Sequence, residues 1–141
     1  MANRTFAIIK PDAVNNGTTG KIYDRILNAE FRILGVKLIR MTLAQAEAFY
    51  AVHQEKPFFT ELTTFMSSGH SMVLALEKEN AVTSWRETIG ATDPKEAEEG
   101  TIRRDFATSI SENAVHGSDS DENAEKEIGF FFTESELIAN Q

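Results

Sequence analysis

RTFAIIK, residues 4–10, is the stretch that does most to decide the fold of this chain. It is a short run rich in apolar and β-forming residues, and Pro11 ends it because proline cannot donate to a continuing strand ladder. Such a run, bounded in this way, predicts a buried strand. We therefore expect the first strand of a sheet here, with Lys10 at its end beside a loop.

The other elements follow from periodicity and capping signals. After a loop at 15–20, the spacing of Ile22, Ile26 and Leu27 predicts a helix over 21–30. Thr42 and Gln45 stand at capping-box spacing and predict the start of another helix. Further strands are predicted at 31–41, at 71–77 and around 113–116. Further helices are predicted at 57–66, with a left-handed cap at Gly69, and at 81–89. A last helix is predicted from Ser120, with Ala124, Ile128 and Phe131 or Phe132 facing inward.

The order of these elements predicts the fold class. Strand, helix, strand, helical pair, strand, helix, strand and helix suit an α+β domain of the ferredoxin-like split βαβ type, in which helices cover one face of a mostly antiparallel four-stranded sheet. The polar stretch 91–106 is predicted to be an irregular loop. With 141 residues, 41% of them hydrophobic, we expect a single domain over 1–141.

Composition narrows the classes of function. A formal charge of -8 argues against a surface that binds nucleic acid through its phosphates, although a few converging cations could still bind a small phosphate compound. The absence of cysteine excludes disulfides, thiolate catalysis and cysteine-bound zinc. The apolar run near the start is too short for a signal peptide or a membrane span, so we expect a cytoplasmic protein without membrane contact.

A candidate reactive histidine lies in NAVHGSDS, residues 113–120. Gly117 removes side-chain bulk beside His116, and residues 118–120 suit a turn leading into a helix N-terminus, which favours anions. Imidazole titrates near neutral pH, so one ring nitrogen can attack while an acceptor holds the other. Glu127, two turns along the following helix, is a candidate acceptor, and a solvated acid is an equally good reading from spacing alone.

Cations and aromatic residues add to this picture. Lys10 ends the first strand, and Arg86, Arg103 and Arg104 flank the 91–106 loop, where guanidinium groups could pair with phosphate oxygens or form ordinary surface ion pairs. Phe58 and Phe59 could both be core residues, or one could stack on a base. NNGTTGKI is not a Walker motif, and no protein-kinase glycine loop is present.

Five segments together resemble the nucleoside diphosphate kinase family: IIKPDAV, KPFFTEL, GATDP, GTIRRDF and NAVHGSDS, in the family's order between Thr5 and about Phe132. The resemblance implies a ping-pong enzyme with broad base and sugar tolerance. It would transfer the γ-phosphoryl group of a nucleoside triphosphate, typically ATP, to a nucleoside diphosphate through a phosphohistidine. Mg²⁺ would be bound mainly through the nucleotide phosphates rather than by protein ligands.

The resemblance also assigns roles to residues. His116 would be the nucleophile and Glu127 would orient its imidazole. Phosphates, ribose hydroxyls or the histidine itself would be held by Lys10, Tyr50, Arg86, Thr92, Arg103 and Asn113. Phe58 would stack on the base, with Leu62 and Ile110 nearby. His70 and Arg104 depart from residues common in the family, and neither matches a catalytic position.

Partners and competing functions complete the expectations. The resemblance implies a homo-oligomer built from a dimer, either a tetramer or a hexamer, with nucleotides as the other partners. A phosphohistidine carrier would need no nucleotide site, which Phe58, Arg86 and Arg103 argue against. A non-catalytic oligomeric scaffold or regulatory nucleic-acid binder is disfavoured by the charge of -8.

Overall fold

The computed structural model describes residues 3–141, which form a four-stranded sheet with helices. The strands are β1 (Arg4–Ile9), β2 (Arg32–Arg40), β3 (His70–Glu77) and β4 (Val115–Gly117). Their order in the sheet is β2-β3-β1-β4, and each neighbouring pair is antiparallel. The predicted α+β class with a four-stranded antiparallel sheet is confirmed.

Eight helices connect and cover the strands within this described part of the chain. They are α1 (Pro11–Asn15), α2 (Thr19–Asn28), α3 (Leu43–Phe49), α4 (Phe59–Met66), α5 (Ala81–Ile89), α6 (Ile102–Phe106), α7 (Asp121–Phe131) and α8 (Glu134–Ala139). A 3₁₀ turn at Ala51–His53 follows α3. None of the helices in 3–141 is both long enough and apolar enough to cross a bilayer.

Helices pack on both faces of the sheet, so the expectation that they cover one face is wrong. Ala7 and Ile9 of β1 join a cluster with α2 and α5, whereas Phe6 and Ile8 join a second cluster with residues of α3, α4, α7 and α8. The physical reason is visible in β1 itself, whose apolar residues run continuously instead of alternating. A strand covered on one face alone would alternate apolar and polar residues.

Local capping explains where several helices begin and end. Thr42 and Gln45 form the predicted capping box of α3, and Ser120 caps α7 by accepting from the backbone N–H of Asn123. The predicted left-handed cap at Gly69 is wrong, because α4 ends at Met66 and its C-cap is Ser67, with φ -96°. The Ser67 hydroxyl donates to the carbonyl of Thr63. A turn closed by this side chain needs no glycine in the left-handed region.

Three short helices lie where the sequence predicts none. α1 and the start of α2 occupy part of the expected loop at 15–20, and α6 lies inside the expected loop at 91–106. α8 begins with a second capping box, formed by Thr133 and Glu136. The three short helices α1, α6 and α8 have five or six residues each, too few to show a helical repeat of apolar positions.

Candidate active site

The short strand β4 places His116 beside the C-terminal end of β1, where it pairs with Ile8. Its Nε2 lies 2.8 Å from Oε1 of Glu127 on α7. The hydroxyl of Ser118 donates to the same oxygen, also at 2.8 Å. The indole Nε1–H of Trp85 donates to the His116 carbonyl at 3.1 Å, so both the ring and the backbone of this histidine are held.

Aromatic rings surround the imidazole. The rings of Phe6, Phe49 and Tyr50 meet it edge-on, with centroids 6.1, 5.7 and 6.3 Å away. The Tyr50 hydroxyl is buried and has no hydrogen-bond partner within residues 3–141. Burial, with a further contribution from the charge of Glu127, raises the pKa of Tyr50, so its phenol stays protonated and can donate to a bound group.

Lys10 reaches the same region from the end of β1. Its Nζ donates to Oδ1 of Asn113 at 2.9 Å, and both side chains are buried. The Asn113 amide in turn donates to the carbonyl of Thr92 at 3.4 Å. Burial, reinforced by the charge of Arg103, lowers the pKa of Lys10 to about 8. The protonation of this amine therefore depends on the charges around it.

Arg103 is a buried cation in α6 whose guanidinium is aimed by backbone carbonyls. It donates to the carbonyls of Gly90 and Val115 at 3.1 and 2.9 Å, and its Nε is buried with no partner in the described chain. Burial, with the nearby charge of Arg86, lowers the pKa of Arg103 to about 10. Two guanidinium groups held close enough for their charges to interact suit a polyanion.

Two clefts meet beside His116. The larger, of about 740 Å³, is lined by Arg86, Thr92, Arg103 and Gly117 among others. The smaller, of about 320 Å³, is lined by Tyr50, His53, His116, Gly117 and Glu127 among others. Gly117 borders both, so the histidine in the smaller cleft adjoins the cations of the larger one. The larger cleft does not include His116, so a reaction that uses both the histidine and the arginines has its place where the two clefts adjoin.

The residues predicted to hold a base lie outside both clefts. Phe58 is 48% exposed and its ring is tilted against that of His53, with centroids 5.6 Å apart. Ile110 is 59% exposed, and Leu62 is half-buried against the core. Phe59, by contrast, packs against the core, so Phe58 is the phenylalanine of this pair that presents its ring to solvent.

Two buried polar residues near the site were not predicted to act in it. Ser118 donates to Glu127, and its place in the HGSDS segment was the available signal. Asp12, directly after Pro11, accepts from the backbone N–H of Ala114 at 3.1 Å. Arg104 lies outside the larger cleft and donates to the carbonyl of Ala97, and His70 is an exposed residue at the start of β3.

Comparison with known proteins identifies the family. The family model described as "Nucleoside diphosphate kinase" matches residues 3–137. A nucleoside diphosphate kinase of Geotalea uraniireducens is 59% identical over 135 residues, which cover 96% of this chain and 98% of that protein.

Solved structures agree with the sequence relatives. The nucleoside diphosphate kinase of Aquifex aeolicus superposes with a TM-score of 0.93 at 46% identity, covering 95% of this chain and 97% of that one. A halophilic nucleoside diphosphate kinase from Halobacterium salinarum, in complex with CDP, gives 0.90 at 36% identity, covering 96% and 91%. By sequence and by fold, the chain belongs to the nucleoside diphosphate kinase family and is an enzyme of that class.

Proposed function

We propose that this enzyme carries out its family's reaction through Nδ1 of His116. The observation that carries the proposal is the 2.8 Å contact between Nε2 of His116 and Glu127. A carboxylate accepts a hydrogen bond, so the ring proton lies on Nε2 and the lone pair on Nδ1. Glu127 thereby orients the imidazole as a nucleophile, and Ser118 fixes the carboxylate.

The reaction then proceeds in two half-reactions. Nδ1 attacks the γ-phosphorus of a nucleoside triphosphate, forming an N–P bond as the bond to the β–γ bridging oxygen breaks, and the nucleoside diphosphate leaves. A second nucleoside diphosphate then attacks the phosphohistidine with its terminal phosphate oxygen. The N–P bond breaks, and the lone pair returns to Nδ1. ATP is the typical donor in this scheme.

Positive charge at the junction of the two clefts stabilises this transfer. Positioning and charge stabilisation supply most of the catalysis in phosphoryl transfer. Arg86 and Arg103 supply the cations that line the larger cleft, and Lys10 adds a buried charge near Arg103. The buried hydroxyl of Tyr50, which has no partner in the described chain, is a further donor. The ribose and phosphate contacts are assigned to Thr92 and Asn113. This convergence of cations gives a -8 protein a local binding site for a polyphosphate.

Magnesium fits this site through the nucleotide. Within residues 3–141 no group of three or more His, Cys, Asp or Glu side chains is arranged to hold a metal. Magnesium bound to nucleotides commonly keeps waters and phosphate oxygens and takes one or two carboxylates. Asp119, which lines the smaller cleft, is a carboxylate that could face such an ion. When bound, the ion neutralises charge on the phosphate oxygens.

Base recognition is assigned to the exposed Phe58, and the family resemblance adds Leu62 and Ile110 to it. Stacking uses a π-face that every base offers, so it tolerates different bases. The half-exposed ring of Phe58 and the exposed Ile110 support this assignment. The Halobacterium salinarum relative was solved with CDP, which supports a diphosphate substrate here. We expect broad base and sugar tolerance.

Assembly and location follow as further proposals. β2 is an edge strand of the sheet, and it exposes Val36 and Leu38, which is a surface suited to pairing with a second copy. We propose a dimer built there and assembled into a tetramer or a hexamer, which light scattering would distinguish. The proposed location is the cytoplasm, which cell fractionation would test. Specific nucleic-acid binding is not proposed, because of the acidic balance.

Labelling with γ-labelled ATP and magnesium tests the proposed function. The wild type should gain an acid-labile label that chases onto added GDP, and His116→Gln should gain none while still binding nucleotide. His70→Gln is the matched control, since His70 is exposed at the start of β3 and away from the clefts. Turnover by His116→Gln would end the assignment, and an unlabelled folded wild type would favour a non-catalytic scaffold.

A further inference from the structure

Asp12 is a buried acid with an incomplete set of partners. Its side chain is 5% exposed and lies in the first turn of α1. Oδ2 accepts from the backbone N–H of Ala114 at 3.1 Å, across 102 residues of chain. Oδ1 is buried and has no hydrogen-bond partner within residues 3–141. An acid in such a position is costly to bury, so its retention calls for a reason beyond packing.

The first consequence of Asp12 concerns the backbone of Ala114. Ala114 has φ 70°, in the left-handed region that alanine rarely adopts. Its N–H is bound by Asp12, and its carbonyl accepts from the N–H of Lys10 at 2.8 Å. A strained backbone of this kind persists only when surrounding contacts hold it in place. These two bonds hold Ala114, which lies between Asn113 and the start of β4, the strand that carries His116.

The second consequence concerns the charge of Lys10. Burial and the charge of Arg103 both lower the pKa of Lys10, to about 8, and the charge of Asp12 opposes them. These are the charged groups that act on Lys10, and Asp12 is the anion among them. Without Asp12, the cation that donates to Asn113 would lose its proton at a lower pH.

We infer that Asp12 is a positioning residue that fixes the left-handed Ala114 turn and sets a negative charge within reach of Lys10 for phosphate binding. The inference rests on the role of Lys10 in the proposed function. Asp12 itself touches neither His116 nor the two clefts. Its effect therefore passes through Ala114 to Asn113 and through electrostatics to Lys10.

Asp12→Asn separates the two effects, because an amide oxygen can still accept from Ala114 while the negative charge is gone. kcat/KM should be measured between about pH 6 and pH 9, since it reports ionisations of the free enzyme. We expect the alkaline limb to move down by about one pH unit, a loss of about fivefold near pH 8 with little change near pH 6. Asp12→Ala, which removes the hydrogen-bond acceptor as well as the charge, should lose activity both near pH 6 and near pH 8.

Asp24→Asn is the matched control, because Asp24 is exposed on α2 and the change in formal charge from -8 is the same. A pH profile for Asp12→Asn identical to that of Asp24→Asn overturns the inference. The activity of Lys10→Gln distinguishes a failure of the inference about Asp12 from a failure of the proposed function. If Lys10→Gln is impaired, only the inference falls; if Lys10→Gln is fully active, the role of Lys10 falls as well.

A measurement on the unaltered protein keeps the inference testable if Asp12→Asn does not fold. NMR titration of the Asp12 carboxyl carbon should show a secondary transition near pH 8, as Lys10 loses its proton. A carboxyl shift that is flat through that pH would overturn the electrostatic contact.

Discussion

Replacing Gly117 with alanine should damage both stability and catalysis. A Cβ at this position would lie 2.8 Å from Cδ1 of Trp85 and 3.1 Å from Cδ1 of Ile89. Carbon atoms in contact are comfortable at about 3.5–4.0 Å, so something must move by about 0.7 Å. Trp85 is fully buried and cannot swing away. Overpacking of this kind costs about 1–3 kcal/mol of unfolding free energy.

The same movement reaches the nucleophile. The Trp85 indole donates to the His116 carbonyl, so a displaced indole shifts β4 or breaks that bond. Misplacement of a reacting group by about 1 Å can cost about 100-fold, and we expect kcat/KM of Gly117→Ala to fall by about 10- to 100-fold. Urea denaturation and a coupled phosphotransfer assay on the same preparation measure the two effects.

Gly129→Ala is the matched control for Gly117→Ala. Gly129 lies in α7, and a Cβ there would meet no atom within 4 Å. Alanine in a helix is better than glycine by about 0.5–1 kcal/mol, so this variant should be as stable as the wild type or more so, with full activity. A Gly117→Ala protein with the stability and activity of Gly129→Ala would refute the packing argument.

Three further outcomes are expected. Phe58→Ala should raise KM for all nucleotides with little change in kcat, because base stacking is worth about 1–3 kcal/mol per base, and a KM that rises for purines alone would contradict a sequence-tolerant platform. Thr42→Ala, which breaks the capping box of α3, should lower the unfolding free energy by about 1 kcal/mol in urea melts while activity at low temperature is kept; unchanged stability would contradict the cap. Wild-type kcat/KM should fall as pH rises through about 8, because Lys10 binds phosphate only while protonated, whereas activity flat up to about pH 10 would show that Lys10 does not titrate there.

The sequence could predict the features that depend on residues close to one another along the chain. The continuous apolar run before Pro11 gave β1, the Thr42 and Gln45 spacing gave α3, and Ser120 gave the start of α7. Spacing alone left Glu127 open between an acceptor for His116 and a solvated acid, and the family resemblance favoured the acceptor; the two side chains lie 2.8 Å apart. Each of these features depends on local chemistry that a short window of sequence contains.

Features that depend on distant contacts were not open to prediction in this way. Lys10 and Asn113 are 103 residues apart and Asp12 and Ala114 are 102 apart, and no spacing rule connects them. Burial of both sheet faces depends on where helices dock, which local periodicity does not report. α8 was the exception among the missed elements, because Thr133 and Glu136 carry a capping-box signal that could have revealed it.

The central claim is that Glu127 holds Nε2 of His116 and leaves Nδ1 to attack. The most direct test is to phosphorylate the protein with ATP and magnesium, digest it under alkaline conditions that preserve the N–P bond, and identify the phosphohistidine isomer. We predict that the phosphoryl group is on Nδ1 of His116. A phosphoryl group on Nε2, the nitrogen 2.8 Å from the Glu127 carboxylate, would contradict the account.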